Sequence, residues 1–374
     1  MTRFLRFLPS LAALALLAVP ARALLNIDGS RNQIFVFGQA TFAYSSNIFA
    51  TSGGDGDYST SAQAGFELQR RRGIIAVNCR GTVTHLSYSN YKGESSTNPN
   101  FSLELNKTGG RTTGAFTVNA YRESRSDSAV NVRTNSWNFP LGLNLKYPVN
   151  DNLYVTSNTG YQRRSYSDTT ILTDYTDYSQ AIDLFYIYTS KTDLLGGYRV
   201  RIADTSTGGS TTDHSFSIGA TGGLFAKLNG LFRVGYQIRE QEATNETFNQ
   251  FTLSAALDWA LTRKFSLKLQ GTRDFSTTAL GGSVDSASGT LAASYVFSRK
   301  FSVDASVGGG RNEFLGRVAP ARTDHFALWD LGARYSLNEH FRLGASLNYF
   351  KNWSSLPTSD FHRFGYSIDV YSRF

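Results

Sequence analysis

The chain has 374 residues, 37 Lys and Arg against 29 Asp and Glu for a formal net charge of +8, 14% aromatics, 34 Gly, 7 Pro and one Cys, with a mean hydropathy of -0.27. Many aromatics on a polar average exclude a bundle of membrane helices, and the lone Cys79 excludes both a disulfide framework and a lipid-modified N-terminal thiol. The charges are scattered, with no basic block of the kind that tracks a phosphate backbone, so nucleic acid is excluded as a partner.

In chain order, Arg3 and Arg6 precede the apolar run from Leu11 to Val19, and the small-residue site Ala21-Arg22-Ala23 follows. This pattern predicts a cleaved secretory signal over 1–23, its apolar run too short to cross a bilayer as a helix. Removing Arg3, Arg6 and Arg22 takes the net charge from +8 to about +5. From 24 to 374 the chain reads as one domain, with no apolar stretch approaching the roughly 20 residues of a membrane helix. An exported chain of this size without a disulfide needs another source of stability. A closed hydrogen-bonded barrel supplies it by pairing every strand edge.

The remainder alternates apolar and polar residues in segments of about 10 to 15 residues, the signature of barrel strands whose two faces meet different solvents. The clearest places Phe341, Leu343, Ala345, Leu347 and Tyr349 on one face and Arg342, Gly344, Ser346 and Asn348 on the other. Three turns begin alike, Leu261-Thr262-Arg263-Lys264-Phe265, Phe297-Ser298-Arg299-Lys300-Phe301 and Leu337-Asn338-Glu339-His340-Phe341, and Tyr147 to Leu153 is a looser copy. Counting outward from them predicts strands near 32–46, 57–71, 74–88, 99–108, 111–124, 134–147, 152–166, 175–189, 192–204, 212–226, 230–242, 247–260, 264–275, 286–297, 300–313, 324–336, 340–352 and 361–374. The fold class expected is all-β: a transmembrane antiparallel up-and-down β-barrel of about 18 strands. Sixteen is the competing count, because 152–166 and 175–189 alternate poorly. An even number puts both termini at the periplasmic rim.

The chain ends on Phe374, with Val370, Ile368, Tyr366 and Phe364 on its face and Arg373, Asp369 and Ser367 on the other. A terminal aromatic closing an alternating strand is similar to the signal read by the bacterial barrel assembly machinery. Ser372 departs from that pattern, where an apolar residue is usual. Leader and closing strand together place the chain in the outer membrane of a Gram-negative-type bacterium, among outer-membrane lipid.

A barrel of 16 to 18 strands leaves an aqueous channel, whereas eight strands are filled by their own side chains. Only Leu24 to about Arg31 precede the first strand, so no plug domain is expected there. Positions out of phase with Phe, Leu, Val and Tyr are the candidate lumen residues. The basic ones are Arg80, Lys146, Arg199, Arg201, Arg233, Arg239, Lys268, Arg334, Arg342 and Arg373. The acidic ones, Glu67, Glu104, Glu123, Asp183, Asp193, Asp258, Asp274, Asp304, Asp330 and Asp369, are as numerous. Most are expected to pair across the wall, no single-sign ring selects an ion, and neutral polar solutes such as saccharides fit.

None of the outward loops, Ala50 to Asp57, Ser89 to Asn98, Ser276 to Asp285 and Phe314 to Arg322 among them, looks long enough to fold inside as a constriction. Gly53-Gly54-Asp55-Gly56-Asp57 offers calcium only two carboxylates, so it reads as a flexible loop and no metal or cofactor is expected. His85, His214, His325, His340 and His362 fall on different strands or turns. Asp324 and His325, as strand neighbours, point to opposite faces, so no catalytic pair forms and the chain is not expected to be an enzyme. A barrel without transport, purely structural or adhesive, is the remaining alternative.

At the end of the first strand, Tyr44-Ser45-Ser46-Asn47-Ile48-Phe49-Ala50-Thr51 resembles an opening motif of β-barrel porins found with exopolysaccharide-secretion genes, most specifically at Ser46 to Phe49. The resemblance implies a role in moving extracellular polysaccharide, with aromatic strands as sugar-stacking platforms. A general diffusion porin is the alternative, since the rims of any barrel are aromatic.

Overall fold

A computed structural model describes residues 25–27, 32–71, 73–127, 132–167, 172–207, 209–316 and 322–374; the expected signal segment 1–23 lies outside them. The strands are β1 (Leu25–Ile27), β2 (Asn32–Ser45), β3 (Asp57–Arg70), β4 (Ile75–Tyr88), β5 (Ser96–Lys107), β6 (Thr113–Asp127), β7 (Val132–Pro148), β8 (Leu153–Tyr166), β9 (Tyr175–Ile187), β10 (Thr192–Thr205), β11 (Gly209–Phe225), β12 (Leu228–Gln241), β13 (Glu246–Trp259), β14 (Phe265–Thr277), β15 (Ser283–Val296), β16 (Phe301–Leu315), β17 (Arg322–Ser336), β18 (Phe341–Ser354) and β19 (Phe361–Arg373). Each pairs antiparallel with its chain neighbours, and β19 closes on β2 from Arg373↔Phe37 to Gly365↔Ser45. Of the 19 strands in the sheet, β1 pairs only with the start of β2, so 18 strands form the closed wall. This settles the count at 18 rather than 16.

The recurring turn sequence has a local cause. Thr262 Oγ1 accepts the amides of Lys264 and Phe265 at 3.2 and 3.0 Å. Ser298 Oγ does the same for Lys300 and Phe301 at 3.2 and 3.1 Å, and Asn338 Oδ1 for His340 and Phe341 at 2.9 and 2.8 Å. One short polar side chain satisfies two backbone donors and fixes the reversal. These tight connections gather at the rim that also carries Asn32 and Phe374, here the near rim; longer loops crown the far rim.

Outward positions are apolar and uncovered, with Phe251 71%, Ile218 68% and Ile368 58% exposed. A continuous apolar belt around a polar-lined ring is stable only against hydrocarbon, where a closed barrel leaves no backbone group unpaired.

The wall opens at two seams. β13 and β14 pair only from Trp259↔Leu267 to Leu253↔Arg273, and β5 and β6 only from Lys107↔Gly114 to Asn100↔Tyr121. Above the first seam the β14–β15 hairpin leaves the wall and folds inward. Phe275 and Ser283, in phase with the outward residues of their strands, are 2% and 1% exposed because they lie against the inner face of β12 and β13. The Phe275 amide meets the Gln250 side chain at 2.9 Å, and Ser283 Oγ accepts from Arg239 at 3.3 Å. The hairpin tip reaches the β8–β9 connection, where the Thr173 amide donates to the Ala279 carbonyl at 2.8 Å and Ala279 packs with Tyr166 and Leu172. The expectation that Ser276 to Asp285 stays outside is therefore overturned: the strands themselves bend, so a short loop is carried across the mouth. The β6–β7 hairpin does likewise. Arg133, outward by phase, ion-pairs with Glu94 at 3.3 Å and donates to the inward Tyr88 hydroxyl at 3.0 Å.

Candidate functional site: the barrel lumen

The two inward hairpins divide the interior into a filled side and an open side. On the filled side, near the near rim, Tyr154 stacks on Phe185 with centroids 4.6 Å apart, and both pack with Leu195, Ile187 and Leu231. This apolar floor explains why the eighth and ninth strands alternate poorly: Tyr154 and Phe185 point inward. Lys146 lies with Nζ 3.6 Å above the Tyr154 ring, and the Tyr154 hydroxyl donates to Asp193 at 2.6 Å.

Above the floor, Arg233 spans from β12 to Asp183 on β9 with two bonds of 2.9 and 3.1 Å. Its path is clear because Gly197 lies beneath the Asp183 carboxylate, 1.8 Å from where a Cβ would stand. Higher still, Arg199 on β10 reaches Asp274 on β14 at 2.9 and 3.0 Å, a contact possible only because β14 bends in. At the top, Asp213 binds both Arg201 and Arg239, the latter at 2.6 and 2.8 Å. Arg201 also faces Asp177 at 3.8 Å and Asp274 at 3.5 Å. Arg239 and Gln237 are fully buried. Charges this deep persist only when every one is paired and hydrogen-bonded, and this network anchors the hairpin.

On the open side the charges stay in contact with solvent. Asp258 and Lys268 are direct cross-strand partners, 3.4 Å apart with side chains 62% and 65% exposed. Asp304 pairs with Arg334, Asp330 accepts from Ser306 at 3.1 Å, and Glu104 accepts from Asn106 at 2.8 Å. Glu67 pairs with Arg373 at 3.0 Å, and Glu123 lies 3.7 Å from Arg125. Arg80 and Arg342 lie over the rings of Phe37 and Tyr371, at 4.3 and 5.6 Å. Asp369 sits against Gly344, 2.3 Å from where a Cβ would stand. On the opposite phase of the last strand, Ile368 and Phe364 are exposed outward, with Tyr366 paired to Leu347 and Val370 to Leu343. Phe374 exchanges backbone bonds with Val36 at 2.8 and 3.0 Å.

Several lumen groups lie outside the set named from the sequence. Asp177 and Asp213 were legible, since Asp213 alternates with His214, Phe216 and Ile218, and Arg363 alternates with Phe364 and Tyr366 in the same way. Arg133 was not legible, because its strand reaches the lumen only by leaving the wall. Phe35, Phe37, Phe350 and Phe361 occupy lumen positions although apolar.

The carboxylates of the acidic loop are held by hydrogen bonds to their neighbours. Asp57 accepts the amides of Tyr58, Asn90 and Tyr91 at 2.8, 2.9 and 3.0 Å and the Asn90 side chain at 2.9 Å, and Asp55 takes the Tyr91 hydroxyl. Both carboxylates are committed to protein donors, and among the described residues no group of three His, Cys, Asp or Glu is placed to hold a metal. Asp324 binds Arg322 at 2.6 and 2.9 Å, on the opposite face from His325. In the motif from Ser46, Asn47 holds the amide of Ala50 at 2.9 Å and the carbonyl of Thr51 at 2.8 Å, while Ser46 Oγ accepts the Phe364 amide at 2.8 Å. These residues tie the β2–β3 loop to β19.

Residues 210–374, the stretch from β11 to β19, match the family model described as "Putative beta-barrel porin 2". No curated protein matches the chain. Among solved structures the chain is similar to the outer membrane protein OpdK from Pseudomonas aeruginosa, with a TM-score of 0.52 and 10% identity over 91% of this chain and 99% of that one. OpdK with vanillate gives 0.51, also at 10% identity over 91% and 99% of the two chains. OpdO from the same organism gives 0.50 at 9% identity, over 91% of this chain and 96% of that one. The family match covers 210–374 and the likeness to solved barrels runs through nearly the whole wall, so the chain has the fold of an outer-membrane porin.

Proposed function

We propose that the protein is an outer-membrane channel for polar solutes, saccharides first, with no catalytic step. The observation that carries this reading is the open side of the lumen, where Asp258 and Lys268 remain more than half exposed inside a closed 18-strand wall. Eighteen strands leave an aqueous interior, and the inward hairpins narrow it without any visible plug among the described residues. The near rim faces the periplasm. Of the phase-derived charges, Arg80, Glu104, Asp258, Lys268, Asp304, Asp330 and Arg342 line this passage, while Lys146, Asp183, Arg199 and Arg233 belong to the filled side that bounds it, and Tyr366, Ile368, Val370 and Phe374 form the strand read by the barrel assembly machinery. The unit that folds is 24–374, after removal of 1–23.

The full chain reconstituted in planar bilayers is expected to give stable open channels with weak ion selectivity, since basic and acidic lumen groups are balanced. Folded barrels with no conductance would replace this reading with a structural or adhesive one. Service to exopolysaccharide export rests on the Ser46 to Phe49 resemblance. A deletion strain that retains normal surface polysaccharide would leave a general porin in its place.

A further inference from the structure

We infer that the far half of the open lumen holds a subsite for an acidic saccharide, a hexuronate-like unit, with its carboxylate on Arg363 and its ring against Phe350. This rests on the channel reading and names the solute class it favours.

A cavity of about 680 Å³ lies between the inner face of β17–β19 and the inward β6–β7 hairpin. Leu328, Phe350 and Arg363 are direct cross-strand partners on the inward phase, so they form one row across its wall. Arg363 differs from the arginines of the filled side. Arg199, Arg201, Arg233 and Arg239 each hold a carboxylate. Arg363 reaches Ser126 Oγ at 3.5 Å, the limit of a hydrogen bond, and lies 5.7 Å from the Phe350 ring centre. Among the described residues no carboxylate stands within ion-pair distance of it. A half-buried guanidinium keeps such a position at a cost unless an anion arrives to pair with it. Its planar fork matches a carboxylate with two parallel bonds.

The rest of the cavity selects a sugar over a simple acid. Phe350 belongs to an inward aromatic cluster with Phe326 at 6.0 Å and Phe361 at 5.6 Å, and the C–H face of a pyranose packs on such a surface. One row nearer the near rim, Asp330 pairs directly with Asn348. A carboxylate there repels a second anion but accepts from hydroxyls, so the cavity is basic at one end and hydroxyl-accepting at the other. A few placed polar groups beside an apolar surface are the usual composition of a ligand site.

The test uses the full chain in planar bilayers, with glucose, sodium glucuronate and the uncharged methyl ester of glucuronate added to the far-rim side. Glucuronate is expected to interrupt the current at a concentration on the order of tenfold lower than glucose, the worth of one charge-assisted pair. The methyl ester should behave as glucose does. Arg363→Gln should abolish the preference and Arg363→Lys retain most of it, while Phe350→Leu should weaken the block by all three sugars. Because the ester comparison needs only the native chain, a misfolding variant does not remove the test. Open channels blocked equally by all three overturn the subsite and leave the channel reading intact. Folded protein without conductance overturns both.

Discussion

Individual charges in the lumen divide by what surrounds them rather than by what they pair with. Asp213, 1% exposed, serves two arginines at once, so Asp213→Ala strands Arg239 in the filled side with no compensating anion. Breaking a buried pair from one side costs about 3–5 kcal/mol. Asp258→Ala removes the partner of Lys268 in open solvent, where such pairs are worth about 0–1 kcal/mol. The first variant is expected to lower the urea midpoint of the folded barrel clearly and the second to leave it nearly unchanged. Equal midpoints for the two would show that the buried network does not hold the hairpin. The same contrast separates residues the sequence exposes from those it hides: alternation finds Asp213 and Asp258 alike, and says nothing of which one is dry.

At the level of elements, the decisive feature is a pair of ladders that stop early. β14 keeps perfect register with β15 to Thr277↔Ser283 but leaves β13 above Arg273, so the far end of the hairpin moves as a unit into the lumen. Replacing 276–283 by a two-glycine turn removes the tip that meets Thr173 and is expected to raise single-channel conductance while the remaining wall stays closed. An unchanged conductance would mean that the hairpin does not narrow the path. Strand positions themselves were legible in the sequence to within a few residues, because period-two alternation and the Thr262, Ser298 and Asn338 turns are local signals. The bend was not legible, since Phe275 and Ser283 obey the outward phase of their strand and only the loss of the neighbouring ladder turns that face inward.

For the molecule as a whole, closure is the source of stability: β19 meets β2, so among the described residues every strand of the ring has a partner on both sides, and the ladders open only at the two far-end seams. A ring of this kind does not unravel from an end, so the protein is expected to run anomalously fast on gels unless heated, and to be recovered with outer membranes. Recovery in the soluble periplasm, or identical mobility before and after heating, would contradict a barrel held shut by its full circuit of strands. The exposed belt that includes Phe251, Ile218 and Ile368 gives the same molecule its membrane partner.

The sequence by itself determined that this is a closed all-β membrane wall of about 18 strands, because alternation, turn chemistry and a terminal aromatic are properties of neighbours along the chain. It also showed which side chains share the inward phase, including Asp183, Arg199, Arg233, Asp304 and Arg342. Only the tertiary structure decided which of them meet. Arg233 and Asp183 stand 50 residues apart, and Arg199 and Asp274 stand 75 apart, brought together by a shared lumen and a hairpin that leaves its wall. Distances across a barrel depend on curvature, register and bending, none of which is encoded in a period of two. The same reason hid the division of the interior into a filled side, an open side and the cavity at Arg363.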